Sequence, residues 1–246
     1  VDPDTETVLN SRDIREDISE NANSYPIRDV TVDPQSQQLY TLLSDVQGNR
    51  VVVYDTTLQI VDELLVGRAI VDIEWDVERN TLVALSAPTP NTGQPAQVLL
   101  LPNGSETDQQ TFTPDVTSSS SPLPPAQIAV SESGDLFLAG ETNLWKIDHT
   151  NGTVVWHTNL SFQVTELSVS GDQVGVLHQY GAPASPDIFI SRLSTHSTET
   201  GELIAVRNGR YEASRMDATT QGFLVGNGGD ASVSIFSADT TEPTNI

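Results

Sequence analysis

Cysteine is absent from all 246 residues, which excludes disulfides and thiolate metal sites and leaves the redox compartment open. Basic residues are scarce: 11 Lys and Arg face 34 Asp and Glu, and Lys146 is the one lysine in the chain. The resulting net charge of −23 repels phosphate backbones and anionic headgroups, so nucleic acid and anionic membranes are set aside as partners. Apolar runs are short, and none reaches the roughly eighteen residues needed for a membrane-spanning helix. No charged-then-apolar leader opens the chain, which starts at Val1. The expectation is a processed mature chain or an excerpt of a longer one.

The acidity has two readings. One is an ordinary, well-solvated acidic surface. The other is adaptation to high salt, since at molar salt the Debye length falls to about 3 Å and screens carboxylate self-repulsion. Scarce Lys, small apolar side chains and abundant Thr and Val resemble the composition of haloarchaeal proteins.

Residues 1–26 are polar, apart from a Thr5 to Ser11 stretch that could form one strand. A repeat begins at Ile27. Ile27, Asp29, Val30, Val32 and Asp33 return 43 residues later as Ile70, Asp72, Ile73, Trp75 and Asp76, and Leu39-Tyr40 returns as Leu82-Val83. Looser copies follow at Ile128/Val130/Ser131, Leu167/Val169/Ser170 and Ser214/Met216/Asp217. Anchors Val32, Trp75, Val130, Val169 and Met216 are spaced 43, 55, 39 and 47 residues apart. Each interval holds about four short β-type runs with Gly, Asn, Asp or Pro turns, the pattern of a β-propeller blade.

Five blades are expected, over 27–66, 69–113, 126–160, 164–207 and 212–246. The fold class is therefore all-β: a propeller of five four-stranded blades over 27–246, preceded by the polar segment 1–26. The last blade has an outer strand only at Thr240 to Ile246, unless residues 5–11 close the ring instead. A longer parent would allow six or seven blades. A Pro/Gly/Thr connection at 87–96 and a low-complexity insertion at 114–125 account for the long second interval.

One hairpin is the clearest unit: Leu144-Trp145-Lys146-Ile147-Asp148, a turn through Asn151-Gly152, then Val154-Val155-Trp156. Its alternation and turn residues predict a loop of four or five residues. With Ile147-Asp148, Gly152 and Trp156 in place, it resembles the quinoprotein-like and YVTN-like propeller repeats. Tyr54-Asp55 repeats the Asp without the Gly, and the Trp is missing from the other units. The resemblance implies the propeller fold. It does not imply a bound quinone, because such repeats occur in many non-enzymatic scaffolds.

The residues that open the inner strands are Asp29, Asp72, Gln127, Glu166 and Ala213, or Glu212 in a slipped register. Asp29, Asp72, Gln127 and Glu166 converging at one mouth would make an oxygen-rich site suited to Ca²⁺ or Na⁺; in a chain so rich in acids they also read as solvated strand ends. Asp29, Asp72 and Glu166 could alternatively serve as the paired carboxylates of a glycoside hydrolase. The aromatic content of 6% is low for stacking sugar rings. His149, His157, His178 and His196 show no zinc-ligand spacing, and no GxSxG nucleophile elbow occurs. Trp75, Trp145 and Trp156 lie in strand patterns and are expected in the core between blades. Asn103, Asn151 and Asn159 head N-x-S/T triplets, a count expected by chance in this composition.

The reading is a non-enzymatic recognition or assembly module, extracellular, at a cell or virion surface (surface layer, envelope or spike), in high salt. Its rigid scaffold presents loops to a protein or glycan partner. The partner residues are placed at Thr89, Asn91, Ser119, Ser120, Pro183 and Asp187, in loops 87–96, 114–125 and 181–187. The alternative is the hydrolase.

Overall fold

Short alternating runs broken by turn residues fold here as strands, and among the described residues there is no helix. The structure is a computed structural model that describes residues 27–45, 48–88, 95–116, 125–182, 185–208, 213–220, 222–227, 232–237 and 244–245. Among the described residues, twenty strands form five four-stranded sheets, each ordered as its strands follow in the chain. The first holds β1 (Ile27–Val32), β2 (Leu39–Asp45), β3 (Gly48–Tyr54) and β4 (Ile60–Leu64). The second holds β5 (Ile70–Asp76), β6 (Thr81–Ser86), β7 (Gln97–Pro102) and β8 (Gln110–Phe112). The third is β9 (Gln127–Val130), β10 (Leu136–Gly140), β11 (Asn143–Ile147) and β12 (Val154–Asn159). The fourth is β13 (Val164–Ser170), β14 (Gln173–Ala182), β15 (Ser185–Ser197) and β16 (Leu203–Asn208). The fifth is β17 (Ala213–Thr219), β18 (Gly222–Asn227), β19 (Ser232–Ser237) and β20 (Thr244–Asn245). These are the blades of a five-bladed β-propeller, and their limits fall within a few residues of those expected from the repeat. The outer position of the fifth blade is held by β20, which pairs Asn245 with Ser234 and Thr244 with Ile235. Residues 5–11, the other candidate for that strand, lie outside the described residues.

The chain divides into two compact units, Val1–Gln94 with Val98–Thr111, and Pro95–Gln97 with Phe112–Ile246. In the first, the two blades share an apolar core that includes Tyr40, Leu42, Val51, Ile73, Trp75 and Leu99. Tyr40 stacks on Trp75 at 5.1 Å between ring centroids. Burial, with Asp33 and then Asp62 nearby, pushes the Tyr40 hydroxyl up to about 12. The repeated acids explain the 43-residue offset. Asp33 accepts from the Gln35 amide and the Ser36 hydroxyl, and Asp76 accepts from the Arg79 amide and guanidinium. Each fixes the turn between the first two strands of its blade.

In the second unit, the hairpin of β11 and β12 has a six-residue turn, 148–153, slightly longer than expected. Next to it a bulge leaves Val155 between the pairs Lys146–Trp156 and Ile147–Val154. Asp148 organises the turn by accepting from the Thr150 hydroxyl at 2.6 Å and the Thr150 amide at 2.8 Å. Those bonds hold its carboxyl below the usual carboxylate range. Asp55 repeats the device with the Thr57 hydroxyl and then the Gln59 amide. Trp75 and Trp145 are buried. Trp156 donates from Nε1 to the Thr198 carbonyl in the next blade, and its ring lies against Gly201. A Cβ there would meet Trp156 Cε3 at 2.7 Å, at a φ of +72° that also favours glycine.

Candidate functional site

In a half-buried sheet, residues paired across antiparallel strands share a face, so register states which side chains meet. In the fourth blade His178 pairs with Arg192, Val176 with Ser194 and Val174 with His196. The spacing Arg192, Ser194, His196 is strict alternation, and it places three polar side chains on one face of β15. His178 joins them from β14. This face borders the connection from β12 to β13, which carries Phe162.

The polar groups form a continuous row. The Phe162 carbonyl lies 3.1 Å from His178 Nδ1. His178 Nε2 lies 2.7 Å from Ser194 Oγ, and Ser194 Oγ lies 3.0 Å from His196 Nε2. His196 Nδ1 ends the row, 3.2 Å from the Gly201 carbonyl. Carbonyl oxygens only accept, so both Nδ1 atoms carry hydrogen and donate, and both Nε2 atoms turn toward the serine. All three side chains are buried, His178 to 2% relative exposure. Burial pushes His178 down to about 4 and also lowers His196, so both rings are neutral near pH 7. The Arg192 guanidinium lies 4.6 Å over the Phe162 ring, a cation–π contact. Together with Thr158, Leu160, Leu203 and Val206 these residues line a cavity of about 120 Å³.

Two of the carboxylates singled out in the sequence tie blades together. Asp29 Oδ1 accepts from the Val30 amide, and Oδ2 accepts from the Ile73 amide of the next blade at 3.0 Å. Thr31 Oγ1 accepts from the Trp75 amide one repeat step further along. Asp72 is buried at 7% exposure. Gln127 opens β9, half-buried and paired with Ala139. Glu166 accepts from Arg215 at 3.2 Å, joining the fourth blade to the fifth. Among the described residues, no three His, Asp or Glu side chains gather as a metal site would require.

Of the expected partner residues, Thr89, Asn91, Ser119, Ser120 and Pro183 lie outside the described residues. Asp187 falls within β15 rather than in a loop. Residues 181–182 and 185–187 belong to the hairpin formed by β14 and β15, with Gly181 opposite Phe189 and Ala182 opposite Ser185. Strand-forming Ile188, Phe189 and Ile190 carry the ladder through residues whose Pro and Ser content reads as loop. His157 is exposed, stacked on Trp145 and bonded through Nε2 to Asn143 Oδ1. The row of His178, Ser194 and His196 is not found by a search for metal spacing. Its signal is the every-second-residue spacing of Arg192, Ser194 and His196 along β15.

The fold is that of a β-propeller. No protein-family model matches the chain, and no curated protein matches it in sequence. Among solved structures, it is similar to a chain of Kuenenia stuttgartiensis hydrazine synthase, with a TM-score of 0.63 and 18% identity, covering 86% of this chain and 64% of that one. It is also similar to a chain in the crystal structure of a mitotic checkpoint complex, with a TM-score of 0.57 and 12% identity, covering 86% of this chain and 63% of that one. The chain thus spans less than two thirds of either protein. At these identities the likeness establishes the fold alone.

Proposed function

We propose that this protein is a non-enzymatic recognition or assembly module, and that its docking edge is the outer strand of the fourth blade. The observation that carries the reading is β16. It is the last strand of its sheet, and it exposes Leu203, Ile204 and Val206 at 56%, 50% and 45%. An apolar edge strand is a template for added β-structure, and soluble proteins blunt such edges unless they are used. The proposed occupant is a strand of a partner protein with basic flanks, because the chain carries a net charge of −23. The likeness to a chain from a mitotic checkpoint complex supports an assembly role. The setting we propose is extracellular, at a cell or virion surface in high salt, where a carboxylate-rich surface is screened.

Cross-linking and mass spectrometry on material from its native source and salt test this directly. The chemistry should couple carboxylates, since Lys146 is the single lysine. The expected result is a stoichiometric companion linked through Glu202 beside β16, with Ile204→Glu abolishing its capture while leaving the melting curve in place. A solitary chain, or capture indifferent to Ile204→Glu, would overturn the assignment.

A further inference from the structure

We infer that Asn159 is an N-glycosylation site, and that the exposed face of β12 seats the first sugar of the glycan. The inference goes beyond the docking edge. It rests on the extracellular setting proposed above, because acceptors of this modification are secreted chains.

Its first support is what the fold does and does not use. Chance accounts for the number of N-x-S/T triplets, and turn chemistry accounts for two of the three. Asn103 and Asn151 each precede a glycine of positive φ. Asn103 Oδ1 accepts from Asn80 Nδ2 at 2.8 Å, and Ser105 Oγ accepts from the Thr107 amide. Asn151 Oδ1 accepts from the Thr153 amide at 2.8 Å, and its Nδ2 donates to Asp148. These side chains hold the turns they stand in. Asn159 instead ends a strand, where asparagine is disfavoured. Among the described residues, neither Asn159 nor Ser161 makes a side-chain hydrogen bond. Both are exposed, while Leu160 between them packs against the buried cluster of Phe137, Val164 and Val176. The fold uses the leucine and leaves its two neighbours to solvent.

The second support is the face on which Asn159 stands. Residues two apart on a strand share a face. His157 pairs with Trp145 and Asn159 with Asn143, and both His157 and Asn159 are exposed. Trp156 and Thr158, on the opposite face, bond to the Thr198 and Gly201 carbonyls of the fourth blade. A glycan on Asn159 therefore leaves that interface closed. The His157 ring stacks on buried Trp145, with 5.6 Å between centroids and 17° between planes. Its Nε2 is bonded to Asn143 Oδ1 at 2.9 Å. The ring is braced from below and at its edge, and burial lowers its pKa, so it is neutral near pH 7. A flat, neutral, fixed ring two residues before the acceptor offers a surface for the C–H face of a sugar.

The transfer forms one bond and breaks one. Asn159 Nδ2 attacks the anomeric carbon of a lipid-linked oligosaccharide. The C–O bond to the lipid phosphate breaks, the phosphate leaves with the electron pair, and the amide gives up one proton to the transferase. In the folded chain the Leu160 amide donates to the Thr142 carbonyl at 2.7 Å, so transfer precedes closure of the blade and the folded site keeps the product.

Mass spectrometry of the full chain, recovered from the surface of its native source and cleaved after Trp156 to part Asn159 from Asn151, tests this. The expected result is a glycan on the Asn159 peptide, removed by Asn159→Gln and by Ser161→Ala made in the same host. The parent should melt roughly 2–4 °C above Asn159→Gln, and His157→Ala should lower the parent's melting point by more than it lowers that of Asn159→Gln. A chain recovered from the surface with Asn159 bare overturns the inference and leaves the extracellular setting standing. A chain confined to the cytoplasm overturns the setting and the inference with it. A glycan on Asn159 without the melting gap, or with equal His157→Ala shifts in both backgrounds, overturns the seating of the sugar on β12.

Discussion

The first and fourth blades solve one packing problem in opposite ways. Leu43, Val52 and Tyr54 form a buried hydrophobic cluster in the first, while His178, Ser194 and His196 form a buried hydrogen-bonded row at the same register in the fourth. Arg50 and Arg192 even correspond, since they pair with Leu43 and His178. Arg50 is buried, 3.8 Å from Glu63, whereas Arg192 lies over Phe162 at a cavity wall. A blade needs volume at these positions. Polarity there is an addition whose desolvation has a cost.

The largest expected effect comes from removing volume on the apolar side. Tyr54→Ala should cost about 3–5 kcal/mol in urea unfolding, by transfer plus cavity terms. A loss under about 1 kcal/mol would mean that the first-blade cluster carries no packing weight. Next comes pH. His178 has a folded pKa of about 4 against an ordinary value near 6.5, so the unfolded chain binds the proton more readily. Stability is therefore intact above about pH 6.5, falls as pH drops toward about 4, and flattens with respect to this group below that. The full loss from His178 is about 3 kcal/mol, and His178→Leu should remove it from the unfolding profile. The first-blade cluster has no group titrating in that window, so Leu43→Val should leave the profile's shape unchanged. Smaller still, Ser194→Val should cost about 1–3 kcal/mol, because two imidazole lone pairs lose their only donor in the row. The cognate Val52→Ser should cost a similar amount for a different reason, an inserted hydroxyl in a hydrophobic cluster. Equal tolerance of both changes would erase the distinction between the blades.

The blades themselves were legible because their anchors repeat side chains with a local job. Asp33 and Asp76 each cap the first turn, and Val32 and Trp75 hold equivalent inner-strand positions. Such residues act within a few positions of themselves, so spacing reveals them. The cavity depends on a longer-range fact. Val176 meets Ser194 only because the hairpin of β14 and β15 runs on to Ala182 and Ser185, through Pro and Ser residues that read as loop. Without that register, the two histidines lie 18 residues apart in sequence and no motif joins them. The carboxylates show another side of the repeat. Asp29 and Glu166 do recur at equivalent positions, but Asp29 bonds the Ile73 amide and Glu166 the Arg215 guanidinium, which are contacts between neighbouring blades. Recurrence in a repeat marks what every blade needs. The residues that break the recurrence mark what one blade does.

The most direct test transplants the first-blade set into the fourth. The variant H178L/S194V/H196Y should unfold in urea within about 1 kcal/mol of the parent near neutral pH, since the serine and both imidazoles leave together and the Gly201 carbonyl keeps the Thr158 hydroxyl as donor. It should also lose the acid-dependent fall. A loss above about 3 kcal/mol at neutral pH, with the acid-dependent fall retained, would contradict the account and make the polar row a structural requirement of the blade.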